Sequence, residues 1–277
     1  MGRKTHNTET RRQQRKKQFE DQGLSSSSQK TREKYQDTYG YKEFALSESQ
    51  KTCQDIIQNN TLTFIEGPAG VGKSLSVFHY AVQEYLKDPS MRIIVIRTPV
   101  EAGSDKIGFL PSDLSDKLEP HFSSTKLLLE QLLNPSKVQA DMDGSLNKIQ
   151  FLIPNYAIGA TWDNAIVCID EAQQIQPLIM KLLLERIGVN SKVIVMGDPS
   201  QVYATSRDRH GMKDAITKFF HIETEVNPET QRSFKYVGEA KYEDIGYFKF
   251  NPKDCMRSDI VRTVIQAYSE KDSLEEI

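Results

Sequence analysis

Gly67-Pro68-Ala69-Gly70-Val71-Gly72-Lys73-Ser74 satisfies the spacing G-x-x-x-x-G-K-[ST]. Glycines at this spacing let backbone N–H groups turn inward around a phosphate, and a helix beginning at Lys73 adds the partial positive charge of its N-terminus. Lys73 can bridge β- and γ-phosphates, and the Ser74 hydroxyl can ligate Mg²⁺. Gly67, Pro68, Ala69, Gly70, Val71 and Gly72 are the backbone candidates for the same ligand. A phosphate loop needs a carboxylate at the end of a neighbouring strand, and the apolar run 165–169 ends in Asp170-Glu171. Asp170 would complete a Mg²⁺ shell and Glu171 would polarise an attacking water. Paired acids after a strand can equally be a solvated turn or a helix start. A glutamate beside the Mg²⁺ aspartate favours hydrolysis of ATP over transfer to a small acceptor, and no acceptor-site motif is visible. A third run, 193–196, ends in Gly197-Asp198-Pro199-Ser200-Gln201. Gln201 could reach a γ-phosphate or its water, or the segment is an ordinary Asp-Pro turn.

These groups need elements to hold them. Residues 61–65 read as a short β-rich strand ending at the first glycine of the loop, and 73–87 as an amphipathic helix with Val77, Phe78, Ala81, Val82, Tyr85 and Leu86 on one face. Upstream, Ser47 and Gln50 have capping-box spacing for a helix that stops at Asn59-Asn60. Apolar runs at 92–96, 149–153, 165–169 and 193–196 read as further strands. Pro177 opens a leucine-rich helix through Arg186, with Gly188 just beyond. Strands alternating with helices predict an α/β fold, a mostly parallel sheet covered on both faces. Beyond residue 217 the pattern is less regular, with a strand expected at 247–250 and a helix at 258–268.

The 277 residues are ample for a core, and 38% hydrophobic with 27% charged residues is an ordinary globular balance. No apolar run approaches the ~18 residues of a membrane helix, and the polar N-terminus has no signal-peptide core. Cys53, Cys168 and Cys255 form no CxxC pair, and the five histidines show no metal-ligand spacing. This fits a reducing, cytoplasmic compartment. The net charge of −2 conceals an asymmetry. Residues 1–35 hold ten basic and four acidic residues, a net +6, whereas the remainder holds 26 and 34, a net −8. Such a tail is either a polyanion contact or a solvated extension. The expected organisation is a basic disordered tail at 1–40, an ATPase core at 41–235 and a C-terminal extension completing it at 236–277. Trp162 could stack a base but suits a packing role, Cys168 reads as a core residue, and 242–250 as an edge strand.

Leu46-Ser47-Glu48-Ser49-Gln50, the phosphate loop, Asp170-Glu171-Ala172-Gln173 and Gly197-Asp198-Pro199-Ser200-Gln201 resemble the core motifs of superfamily 1 helicase-like ATPases. Arg97-Thr98-Pro99-Val100-Glu101-Ala102-Gly103, Ile107-Gly108-Phe109-Leu110-Pro111, Arg186-Ile187-Gly188 and Asp254-Cys255-Met256-Arg257-Ser258 narrow this to a resemblance to the PhoH-like family over 45–268. The short chain without an appended nuclease domain looks like a bacteriophage version, which would act in the host cytoplasm. The resemblance implies a RecA-like P-loop NTPase core that binds and hydrolyses ATP with Mg²⁺. It further implies a homo-oligomer, in ring form in parts of the family, and coupling to single-stranded nucleic acid, with RNA preferred over DNA. Gln50 would then read adenine, although a capping role also accounts for it. Gln173 and Gln201 would sense the γ-phosphate, and Arg257 would be an arginine finger or, alternatively, a surface residue opening the last helix. The chain departs from the family where Ile158-Gly159-Ala160-Thr161 replaces an Arg-Gly-Arg-Thr stretch. If those arginines touch phosphates, their replacement would weaken unwinding before ATP binding. A non-enzymatic ATP-binding switch that controls assembly or partners is the alternative function.

Overall fold

The structure is a computed structural model, and it describes residues 40–99, 114–145, 147–199, 201, 210–226, 233–256 and 258–272. The basic tail, the stretch from Val100 to Pro111, Ser200 and Arg257 lie outside the described residues. The elements below belong to one compact unit, Lys42–Ile277.

In chain order they are α1 (Glu48–Asn59), β1 (Leu62–Glu66), α2 (Lys73–Lys87), β2 (Arg92–Arg97), α3 (Leu114–Leu132), α4 (Pro135–Asp143), β3 (Ile149–Leu152), α5 (Pro154–Ala157), β4 (Ala165–Asp170), α6 (Pro177–Leu184), β5 (Lys192–Gly197), α7 (Gly211–Phe219), β6 (Phe220–Val226), β7 (Ser233–Ala240), β8 (Ile245–Lys249) and α8 (Asp259–Asp272). Two 3₁₀ turns, Ala172–Gln174 and Pro252–Asp254, complete them. Six strands form one sheet in the order β3-β2-β4-β5-β1-β8, every pairing parallel. β6 and β7 form a separate antiparallel ribbon.

Residue parity explains the layering. Successive strand side chains point to opposite faces, and β1, β2, β4 and β5 are buried along nearly their whole length, as a sheet covered twice requires. Leu62, Phe64, Ile94, Ile96, Val167, Ile169, Val193 and Val195 join one core with Trp162, Met180, Leu183, Met212 and Ile216 from the α5–α7 side. Helix α2 packs on β2, β4 and β5, and α1 on β1 and β8. The expected α/β architecture is therefore present. Trp162 lies in this core, as its packing reading anticipated, and Cys168 is buried in β4.

Some boundaries differ from the expectation. The leucine-rich helix stops at Leu184 rather than Arg186, and the Arg186 carbonyl beyond it accepts the Trp162 N–H at 2.8 Å. The acidic strand is not the immediate neighbour of the phosphate-loop strand: β5 lies between β1 and β4. At roughly 4.8 Å per strand, the loop and the carboxylates are thus separated by about 10 Å across the sheet edge. Helices α3 and α7 and the β6–β7 ribbon did not emerge from the sequence patterns. β8 is the edge strand expected within 242–250.

Candidate nucleotide site

A parallel sheet brings the carboxyl ends of its strands to one edge, where ligands of open α/β sheets are bound. Here that edge carries a cleft of about 490 Å³ lined by Gly70, Gly72, Lys73 and Ser74 after β1, Arg97 at the end of β2, Asp170 and Glu171 at the end of β4, and Asp198 and Gln201 after β5. Ser124, Thr125 and Leu128 of α3 form another wall.

The loop is shaped by contacts from both sides. Gly72 has φ +89°, a left-handed conformation, and a Cβ there would also collide with the Gln50 side-chain amide. A Cβ on Gly67 would come within 2.8 Å of the Phe250 Cβ. Behind these contacts, Ser49 Oγ donates to Asp254 Oδ1 at 2.8 Å, and the Met256 N–H donates to the Gly70 carbonyl at 3.1 Å. The loop is therefore clasped between the start of α1 and the segment following β8. Lys73 opens α2 and folds back, donating to the carbonyls of Gly67 and Pro68 at 2.5 and 2.9 Å.

Gln50 plays the structural part its spacing predicts. Its Oε1 accepts from the Ser47 N–H at 2.9 Å, and its own N–H donates to Ser47 Oγ. Its Nε2, however, is buried against Gly72 with no hydrogen-bond acceptor among the described residues. Such a donor costs desolvation energy.

The acidic pair is held from several directions. Asp170 is buried, and its Oδ1 accepts from the Glu171 N–H at 3.0 Å. Burial raises the Asp170 carboxyl above the usual carboxylate range; the Arg97 charge opposes this and the Glu171 charge adds to it. Glu171 adopts φ +51°, ψ +40°, an uncommon conformation for a residue with a Cβ, which turns its side chain out of the strand. The Gln173 amide sits behind it, donating to Glu171 Oε2 at 2.7 Å and accepting from the Asp198 N–H at 3.1 Å. Gln174 Nε2 donates to the Gln201 carbonyl at 2.6 Å, tying the turn after β5 to the turn after β4.

Arg97 is a site residue to which sequence spacing alone assigns no role. It ends β2 opposite Asp170 in the parallel register, and its guanidinium lies 3.3 Å from Asp170 Oδ2 and 3.4 Å from Glu171 Oε1. The signal was an arginine closing a strand whose interior is apolar. Its meaning required knowing that β2 pairs with β4.

Mg²⁺ is held by one or two carboxylates together with phosphate oxygens and water, rather than by a protein cage. Asp170 and Ser74, which line the same cleft from facing sides, are a donor set of that kind. Ile158 and Ala160, where family arginines were expected, differ in placement: Ile158 packs against the core and Ala160 is exposed.

The sheet order, the phosphate loop and the carboxylate pair facing it define an ATPase-like nucleotide-binding protein of the P-loop class. Residues 44–269 match the PhoH family, described as PhoH-like protein, and the chain belongs to that family. A PhoH-like protein of Synechocystis is 31% identical over 224 residues, covering 81% of this chain and 61% of the relative. Protein PhoH of Escherichia coli K12 is 30% identical over 225 residues, 81% of this chain and 58% of its own. The chain thus spans about three fifths of the length of the curated relatives it matches. Among solved structures, the large terminase ATPase domain of Thermus phage P74-26 covers 80% of this chain and 86% of its own at 16% identity and a TM-score of 0.42. No helix among the described residues is long and apolar enough to cross a membrane.

Proposed function

We propose that this protein binds and hydrolyses ATP with Mg²⁺ and couples turnover to single-stranded nucleic acid, RNA in preference to DNA. The observation that carries the reading is the Asp170-Glu171 pair facing Lys73 and Ser74 across one cleft. Lys73 would leave the loop carbonyls for the triphosphate. Ser74 and Asp170 would hold Mg²⁺, which neutralises charge on the phosphates. Glu171 would orient and deprotonate water. Gln173 and Gln201, joined through the turns after β4 and β5, would register the γ-phosphate, and the unpartnered amide of Gln50 would read adenine. Arg257 would complete the site as an arginine finger, in keeping with a ring-forming homo-oligomer. The basic residues of 1–35 would contact the nucleic acid backbone in the cytoplasm, of a host cell if the chain is phage-encoded.

One observation favours a second reading, a slowly turning nucleotide switch: Glu171 is engaged at both oxygens, by Arg97 and Gln173. Steady-state ATP hydrolysis by wild type and Lys73→Ala, with and without single-stranded RNA or DNA, separates the two. Stimulation by one polymer, absent from the variant, is expected. A near-zero rate unaffected by polymer, despite ATP binding, selects the switch.

A further inference from the structure

Each carboxylate of the acidic pair has one oxygen fixed by a neutral protein donor. Asp170 Oδ1 takes the Glu171 N–H, and Glu171 Oε2 takes the Gln173 amide. The remaining oxygens, Asp170 Oδ2 and Glu171 Oε1, are those that Arg97 engages. The guanidinium is therefore stationed on the oxygens that a metal ion or an attacking water would need. Its placement follows from strand register, since Arg97 and Asp170 are partners in the β2–β4 ladder.

The manner of engagement is loose. The fork does not close on one carboxylate but splits, Nη1 to Asp170 and Nη2 to Glu171, with Nη1 also 3.4 Å from Ser124 Oγ. All three separations exceed the ~2.7–2.9 Å of well-formed charge-assisted bonds. Arg97 lines the same cleft as Lys73, so a triphosphate there would offer it a new anionic partner.

We propose that Arg97 is the resident counter-cation of the Asp170–Glu171 pair, a positioning residue that must leave Asp170 Oδ2 before a divalent cation can bind. Nucleotide, by drawing the guanidinium to its phosphates, makes metal entry conditional on its own arrival. The inference rests on reading this cleft as a Mg²⁺–ATP site and deepens that reading. The guanidinium puts a positive charge beside the two oxygens not already fixed by neutral donors, and that charge repels a second cation there, so removing it exposes a divalent site that no longer waits for nucleotide.

The test is a Mn²⁺ titration followed by electron paramagnetic resonance on the full chain, without nucleotide and then with a non-hydrolysable ATP analogue. Without nucleotide, Arg97→Gln should bind Mn²⁺ at least about tenfold more tightly than wild type, equivalent to about 1.4 kcal/mol. Adding Asp170→Asn to that variant should abolish the gain, and the analogue should narrow the gap by raising wild-type affinity. Wild-type or weaker Mn²⁺ affinity in Arg97→Gln overturns the inference, since an ion pair that merely braces the fold would not suppress metal binding. If the Gln variant does not fold, Arg97→Lys carries the test: one ammonium cannot span both carboxylates, so a smaller gain is expected and no gain overturns the proposal. A Mn²⁺ gain in a protein that binds no ATP removes the ATP reading and leaves the counter-cation role. ATP binding without a Mn²⁺ gain does the reverse.

Discussion

Arg97 and Lys192 bring positive charge to opposite ends of the same parallel sheet, and they are held differently. Lys192 begins β5 and donates to the carbonyls of Ile57, Gln58 and Asn60 at 3.0, 2.9 and 2.8 Å. These belong to the last turn of α1 and its cap, where a helix leaves carbonyls unpaired and its dipole is negative. Burial lowers the Lys192 pKa below its usual value, with Glu84 and Asp244 opposing the shift. Arg97 ends β2 and spans two carboxylates at 3.3 and 3.4 Å. Three neutral acceptors at good distance make an anchor. Two acids in a cleft, loosely held, make an exchangeable contact. Lys192 thus closes the end of α1 at the amino edge of the sheet, whereas Arg97 faces the open cleft at the carboxyl edge.

Three experiments sharpen or break that contrast. The largest effect is expected at the carboxyl edge: Glu171→Gln should lower kcat by about 10²- to 10⁴-fold, the usual yield of a positioned base. ATP affinity should persist in the same variant, checked by a nucleotide-binding titration beside steady-state turnover. Unchanged turnover would remove the edge's catalytic role. At the amino edge, Lys192→Met removes the lysine donor from the Gln58 and Asn60 carbonyls, while the Ile57 carbonyl keeps the Asn60 N–H, and should cost about 1–3 kcal/mol of stability. A denaturation midpoint measures this, and nucleotide affinity should stay at the wild-type value. A loss of affinity with intact stability would erase the distinction between the two ends.

The smallest effect concerns His79, in the α1–α2 layer behind the loop, whose Nδ1 faces Gln54 Nε2 at 3.1 Å. Burial lowers its pKa below the ordinary 6.5, with Glu43 pulling the other way. The folded state therefore binds this proton less readily than the unfolded chain, so stability rises with pH in this range. The part of the unfolding free energy that His79 contributes should be level above 6.5 and fall as the pH drops below it. The fall should be shallower in His79→Gln.

The parts legible in advance were those written in local pattern. The helix from Lys73 to Lys87 has the bounds that its apolar face and the preceding glycine predicted, and the Ser47–Gln50 capping box forms as spaced. Helix α3 was opaque because Pro120 lies inside it and Ser123, Ser124 and Thr125 are weak helix formers. Its place is set by packing: Phe122 lies 5.3 Å from the Phe151 ring, and Leu129 and Leu132 are buried. The β6–β7 ribbon was opaque for another reason. All of β6 after Phe220 is exposed, so neither of its faces shows the one-sided burial that alternation reports.

The sequence by itself determined the phosphate loop, the acid pair and the parallel α/β plan. These depend on glycine conformations, helix caps and apolar runs acting over a few residues. Only the tertiary structure decided what those groups face. The insertion of β5 between β1 and β4 sets the width of the cleft, and the β2–β4 register delivers Arg97 to carboxylates 73 and 74 positions away. Strand pairing is chosen by how whole layers bury against one another, and no local spacing encodes that choice.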